Sequence, residues 1–236
     1  MTDEQRRIEV AVLVCPEYAP VDVVGFHAVM ASMPGVNVHF VWKNLDEFLG
    51  YGGFPTRATT TFADCPANLD VLLVGATPME LLEDAETLAF LADRGARAGW
   101  IAGVCEGSLV LGAAGLLRGY RATTNFHFYD ELDWFGAETV RTPNVVEDRN
   151  RISAGPATGC IEIGLRLVQL FFGDEVARQT ELNAEYAPKP LFGVGTPELA
   201  GPDLTRRALA ESHGWTQGFT AAARRAADRL EASAAG

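Results

Sequence analysis

The sequence has little of what membrane spans, nucleic-acid faces or structural metal sites are made from. No apolar run approaches the roughly 18 residues that a membrane-spanning helix needs. Positive charge is scarce: 19 lysines and arginines stand against 31 aspartates and glutamates, a formal net charge of −12. Such a surface repels phosphate backbones and anionic headgroups, so neither nucleic acid nor a membrane surface is an expected partner. Histidine and cysteine are rare, four of each. None of Cys15, Cys65, Cys105 and Cys160 forms a C-x-x-C pair or has a histidine at zinc-finger spacing, so no metal site is expected. The opening residues, MTDEQRRIEV, contain no apolar segment of the secretory kind, which points to the cytoplasm and to free thiols. Linkers, repeats and low-complexity stretches are absent.

What is present is a globular composition, 48% hydrophobic and 21% charged over 236 residues, enough for one substantial core. The runs IEVAVLVC (8–15), LDVLLVG (69–75) and GWIAGVC (99–105) read as buried parallel strands, and VNVHFVW (36–42) as a strand by alternation. Helical spacing follows over 21–33, over 77–96 and from about 107, with Thr77 as the cap of the second of these and Pro78 at its first position. YGGFPTRATTTFADC (51–65) reads as an irregular extended ribbon and YRATT (120–124) as a short strand. Residues 138–154 suggest two short strands about a polar turn at 147–150, and 158–173 a strongly amphipathic helix. Alternating strands and helices predict an α/β fold, with a mostly parallel sheet covered by helices on both faces. Residues 1–200 are assigned to this domain, and 201–236 to a helical C-terminal extension of it.

The stretch GVCEG (103–107) carries the chemistry. Cys105 falls at the carboxyl end of a strand, where open α/β sheets bind ligands. Small residues two positions to either side fit a nucleophile elbow, the strand-to-helix corner best known with serine. A nucleophile there has a strained backbone, and small neighbours let strand and helix pass closely. The following helix directs its positive end at the sulfur, which is expected to favour the thiolate. The alternative is a buried, inert cysteine, the reading given to Cys15, Cys65 and Cys160.

The segment GVCEGSLVLGAAGLLRGYRATT resembles the elbow region of the DJ-1/PfpI superfamily, and within it the isonitrile hydratase branch. VLVCPEYAPVDVVGFHAV, LDVLLVGATP and the stretch from ISAGPATG to PELAGP, with its Tyr-x-Pro-x-Pro segment, are similar to further parts of the family. The resemblance implies a flavodoxin-like three-layer sandwich of the class I glutamine amidotransferase type and a homodimer. It implies Cys105 as nucleophile, Asp22 against its sulfur, and Gly75 and the Ala76 amide as backbone donors to a developing negative charge. Asp22 also reads as a helix cap, and Gly75 as a plain turn.

The sequence departs from that branch where a pocket is expected. Glu106 stands where the hydratases usually have threonine, and Asn125 where they have histidine, with His127 two residues later. Glu106 is expected to face the pocket and share protons with Asp22, one carboxyl acting as acid and the other as base. Asn125 and His127 are candidate substrate contacts. Trp42, Phe54 and Trp134 are candidates for an apolar lining, although aromatic residues are usually core. The predicted activity is cofactor-independent addition of water to a small electrophile, an isonitrile becoming an N-substituted formamide. A glyoxalase III-like conversion of 2-oxoaldehydes and a cysteine-based oxidation sensor are the alternatives.

Overall fold

The structure is a computed structural model and describes residues 7–235. The N-terminal reading of a missing secretory segment rests mainly on residues 1–6, which lie outside the described residues. The first half of the chain runs β1 (Ile8–Leu13), α1 (Pro20–Met30), β2 (Val36–Trp42), β3 (Glu47–Gly50), β4 (Phe54–Arg57), β5 (Thr60–Thr61), β6 (Val71–Val74) and α2 (Ala85–Gly95). It continues with β7 (Trp100–Val104), α3 (Gly107–Ala113), β8 (Arg121–Ala122), α4 (Tyr129–Asp133), β9 (Glu138–Thr139), β10 (Val146–Asp148) and β11 (Arg151–Ala154). Four helices close it: α5 (Gly159–Phe172), α6 (Asp174–Asn183), α7 (Pro197–Glu211) and α8 (His213–Ala235).

Seven strands form one sheet in the order β10-β11-β7-β6-β1-β2-β5. Every neighbouring pair is parallel except the hairpin β10–β11. The central strands are buried on both faces, which is why they read as unbroken apolar runs. After β1 the chain builds outward through β2 and β5, then returns across β1 to lay down β6 and β7. This reversal places a topological switch point between β1 and β6, and the crevice beyond their carboxyl ends is where such sheets take ligands. With this strand order, the rule that such crossovers are right-handed puts α1 on one face and α2 on the other. Helix α5 packs with α1, while α3 joins α2 and α8 on the opposite face. Among the described residues, no helix is long and apolar enough to cross a membrane.

Two local readings are corrected. The single helix over 77–96 is interrupted: Met79–Leu82 form a 3₁₀ turn, and α2 begins at Ala85. Its cap is Asp84, not Thr77. The Asp84 carboxylate accepts the Thr87 N–H at 2.8 Å and is held by Lys43, an arrangement stronger than a threonine hydroxyl provides. Asp22 is likewise not a cap. Ala19 occupies that position, and the Asp22 carboxyl turns away from its own helix.

Helix α8 presents a small-residue stripe to the body. Phe219, Ala222, Ala223, Ala226 and Ala227 are buried at helical spacing. Arg225 and Arg229 bind Glu83 beside the 3₁₀ turn, with contacts of 2.6–3.0 Å. Phe219 lies 5.1 Å from the Phe128 ring and 5.3 Å from Trp215. Truncating a buried phenylalanine costs about 3–5 kcal/mol. Phe219→Ala is therefore expected to lower unfolding free energy in urea by that amount; a loss under 1 kcal/mol would show that α8 adds little to the core.

Candidate active site

The corner at Cys105 is built by close approach. Cys105 has φ of 55°, a left-handed conformation rare outside glycine. A Cβ on Gly107 would lie 2.1 Å from the Val74 carbonyl oxygen and 2.6 Å from that of Gly75. A Cβ on Gly103 would lie 2.6 Å from Ser108 Oγ. Gly107 therefore lets the start of α3 sit directly on the end of β6, and Gly103 lets α3 pack closely on β7. The corner is then tied down on its other side. The Cys105 N–H donates to Ala154 O at 2.9 Å, and the Thr124 hydroxyl donates to Cys105 O at 2.7 Å.

Cys105 and Glu106 share an apolar cavity of about 360 Å³ with Asn125 and His127. Phe126, Pro143, Pro156, Pro197 and Trp215 form much of the wall. Glu106 is buried, and it also lines a second cavity of about 560 Å³ with Ala76, Thr77, Met79, Trp215 and Phe219. The Asn125 side-chain amide donates to Glu106 Oε1 at 2.5 Å and to Cys105 Sγ at 3.3 Å. Asn125 Oδ1 accepts the His127 backbone N–H at 3.0 Å and lies 3.2 Å from His127 Nδ1. The His127 ring stacks on Phe126 at 4.0 Å and meets the edge of Trp215 at 5.4 Å.

Asp22 lies behind this group, with no exposed surface. Its Oδ2 accepts the Ala76 N–H at 2.7 Å, and Oδ1 has no protein partner. Gly75 is required here, because a Cβ would fall 2.7 Å from Asp22 Cβ. The geometry thus binds Gly75 and Ala76 to Asp22. The Ala76 N–H is committed to that carboxyl, and neither residue lines the Cys105 cavity. Trp42, Phe54 and Trp134 line neither cavity. Trp42 packs on Phe62, Phe54 is exposed on the β3–β4 hairpin, and Trp134 lies beneath Arg224.

Burial and the clustering of acids set the electrostatics. Desolvation pushes the Asp22 carboxyl up to about 7, against the Ala76 hydrogen bond and with help from Glu106. Glu106 is raised chiefly by burial. The Cys105 thiol is held well above its ordinary value, first by burial, then by the charges of Glu106 and Asp22. The expected thiolate at rest is thus corrected to a thiol. The seven-residue helix α3 does not outweigh two carboxyls and an apolar wall. Burial lowers the His127 pKa, which keeps the ring neutral. Cys15 and Cys160 are buried and pushed up to about 12, as inert core thiols are.

Trp215 escaped the sequence reading, although Trp215 and Phe219 stand one helical turn apart in an alanine-rich helix, a signal for an apolar contact stripe. The wall from Pro197 and its neighbours had no comparable signal, since no residue of that segment is buried.

A parallel α/β sandwich with a cysteine at a left-handed strand–helix corner, backed by a buried carboxyl, defines a known class of proteins. The chain belongs to the DJ-1/PfpI family, whose profile matches residues 8–170. It is 42% identical over 195 residues to the isonitrile hydratase of Pseudomonas putida, covering 82% of this chain and 85% of that one. A ThiJ/PfpI family protein from Pseudomonas syringae superposes with a TM-score of 0.87 at 40% identity, covering 92% of this chain and 90% of that one. Drosophila melanogaster DJ-1β shares the fold, with a TM-score of 0.69 at 16% identity over 77% of this chain and all of that one.

The raised Asp22 pKa fixes a pH dependence. Burial lifts the carboxyl from its ordinary value of 3.8 up to about 7, so between these the folded state holds a proton that the unfolded chain releases. Stability contributed by this group is therefore full below about pH 4 and is lost as pH rises through 7, by on the order of 4 kcal/mol. Asp22→Asn keeps the acceptor for Ala76 and cannot ionise. Chemical denaturation at pH 4 and pH 8 is expected to show the variant gaining on wild type by that amount. A difference that does not change with pH would show that Asp22 is ionised in the fold.

Proposed function

We propose that the chain is a cofactor-independent isonitrile hydratase in which Cys105 is the nucleophile and Glu106 moves the protons. The observation that carries this reading is the pairing of a half-buried thiol with a buried carboxyl at the polar end of an apolar cavity. The likeness to an isonitrile hydratase supports it. The substrate is an isonitrile with an apolar substituent held by Trp215, Phe126 and the prolines. We place the reaction in the cytoplasm, where free thiols stay reduced. We also expect a homodimer, which the exposed Leu191, Phe192, Val21 and Val24 side chains support.

The steps balance as follows. Glu106 takes the thiol proton and passes it to the terminal isonitrile carbon as the sulfur bonds there. The product is a thioimidate on Cys105, S–CH=N–R. Glu106, again a carboxylate, removes a proton from water as the oxygen attacks that carbon, and the nitrogen takes the proton. The tetrahedral adduct then gives its hydroxyl proton to Glu106 and expels the sulfur, which takes that proton from Glu106 as the N-substituted formamide leaves. The sum is one water added to one isonitrile. Asp22 lies behind the pair and does not line the cavity, so Glu106, which does, is the carboxyl placed to take the thiol proton. A thiol raised this far weighs against a role as an oxidation sensor, because susceptibility follows thiolate character.

Cyclohexyl isocyanide is the test substrate, with formamide followed by NMR. Wild type is expected to turn it over. Cys105→Ala is expected to abolish the reaction, and Glu106→Gln to lower kcat by about 10²–10⁴. Undiminished turnover by either variant contradicts the assigned roles, and conversion of methylglyoxal without any isonitrile turnover overturns the reading.

A further inference from the structure

Asn125 and His127 entered as possible substrate contacts, yet their hydrogen bonds face inward, toward the reacting pair. A backbone N–H can only donate, so the Asn125 atom 3.0 Å from the His127 N–H is Oδ1. The amide nitrogen is then the atom 2.5 Å from Glu106 Oε1 and 3.3 Å from Cys105 Sγ. Its two hydrogens suffice for one bond to each. The same oxygen lies 3.2 Å from His127 Nδ1. A carbonyl oxygen cannot donate, so that ring nitrogen carries the proton of the neutral imidazole. Two donors converge on Oδ1, and the amide has one orientation. Turned over, it would aim an oxygen lone pair at both a carboxylate and a sulfur.

We propose that Asn125 is the charge bridge of the site: its amide holds one N–H on Glu106 and one on Cys105, so negative charge passes between carboxylate and sulfur under a single donor. His127 is the positioning residue that sets the amide's orientation. The step bridged is Cys–SH plus Glu–COO⁻ giving Cys–S⁻ plus Glu–COOH. One proton moves, and no charge enters or leaves the cluster. Without the bridge, the thiolate would form in an apolar pocket with no donor on it. The ring does not act as a base here. Its stacking on Phe126 and its edge contact with Trp215 hold Nδ1 on the amide oxygen.

This rests on Cys105 being the reactive thiol, and it is tested without isonitrile, so it stands or falls separately from the hydratase reading. The readout is the rate of Cys105 alkylation by iodoacetamide between pH 6 and pH 10, located by peptide mapping. His127→Phe keeps the stacking and loses the N–H. It is expected to slow alkylation at pH 8 about tenfold by raising the thiol pKa about one unit. His127→Asn offers an amide N–H near the Nδ1 position and is expected to recover most of that rate. His127→Gln reaches the Nε2 position instead and is expected to stay slow. Alkylation of His127→Phe at the wild-type rate overturns the proposal. So does a His127→Asn variant no faster than His127→Phe at equal melting temperature. Should the variants fail to fold, long-range ¹H–¹⁵N NMR of wild type decides: a proton on His127 Nδ1 supports the bridge, and a proton on Nε2 alone overturns it.

Discussion

The site depends on one close approach, the passage of Gly107 over the Val74 carbonyl. With no side chain there, the first residue of α3 comes down on the end of β6. Cys105 is thereby forced into its left-handed conformation at a cost of about 1–3 kcal/mol. Hydrogen bonds from Cys105 to Ala154 and from Thr124 to Cys105 hold the strained residue in place. Asp22 and Gly75 fit beneath the same corner because Gly75 also lacks a side chain. The thiol, the two carboxyls and the amide of Asn125 meet only because three strand ends converge at this point.

That convergence explains why local electrostatics prevails over the helix dipole. A short helix contributes a partial charge at its end, and its influence fades within a turn. Burial removes the solvation of a full charge, and Glu106 and Asp22 add repulsion at close range. The resting state is therefore a protonated sulfur beside a carboxyl able to receive its proton. In the proposed reaction this arrangement keeps the nucleophile masked as a thiol until Glu106 takes its proton. It also gives Glu106 a role that a hydroxyl could not fill, since a carboxyl retains the proton it takes.

The parallel strands and the cysteine elbow were legible because each rests on contiguous residues: apolar runs, and glycines at fixed offsets from Cys105. Asp22 and Glu106 were also found together, since both lie just past strands that the topology aligns. What escaped depends on contacts across long chain separations. Asp84 displaced Thr77 as a cap because Lys43, 41 residues away, holds it. Trp215 reached the pocket only through the docking of α8 against Phe128. The direction of the Cys105 shift was misread because burial and the Asp22 charge are properties of the assembled crevice. Ala76 read as a free donor because only the fold brings the Asp22 carboxyl to its N–H.

The central claim is that the Cys105 sulfur bonds to substrate carbon. Intact-protein mass spectrometry of enzyme acid-quenched during isonitrile turnover tests it directly. The account predicts an added mass equal to one isonitrile, mapped to Cys105, which disappears as formamide is released on longer incubation. Steady formamide production with Cys105 unmodified at every quench time, and retained in a Cys105→Ser variant, would contradict it.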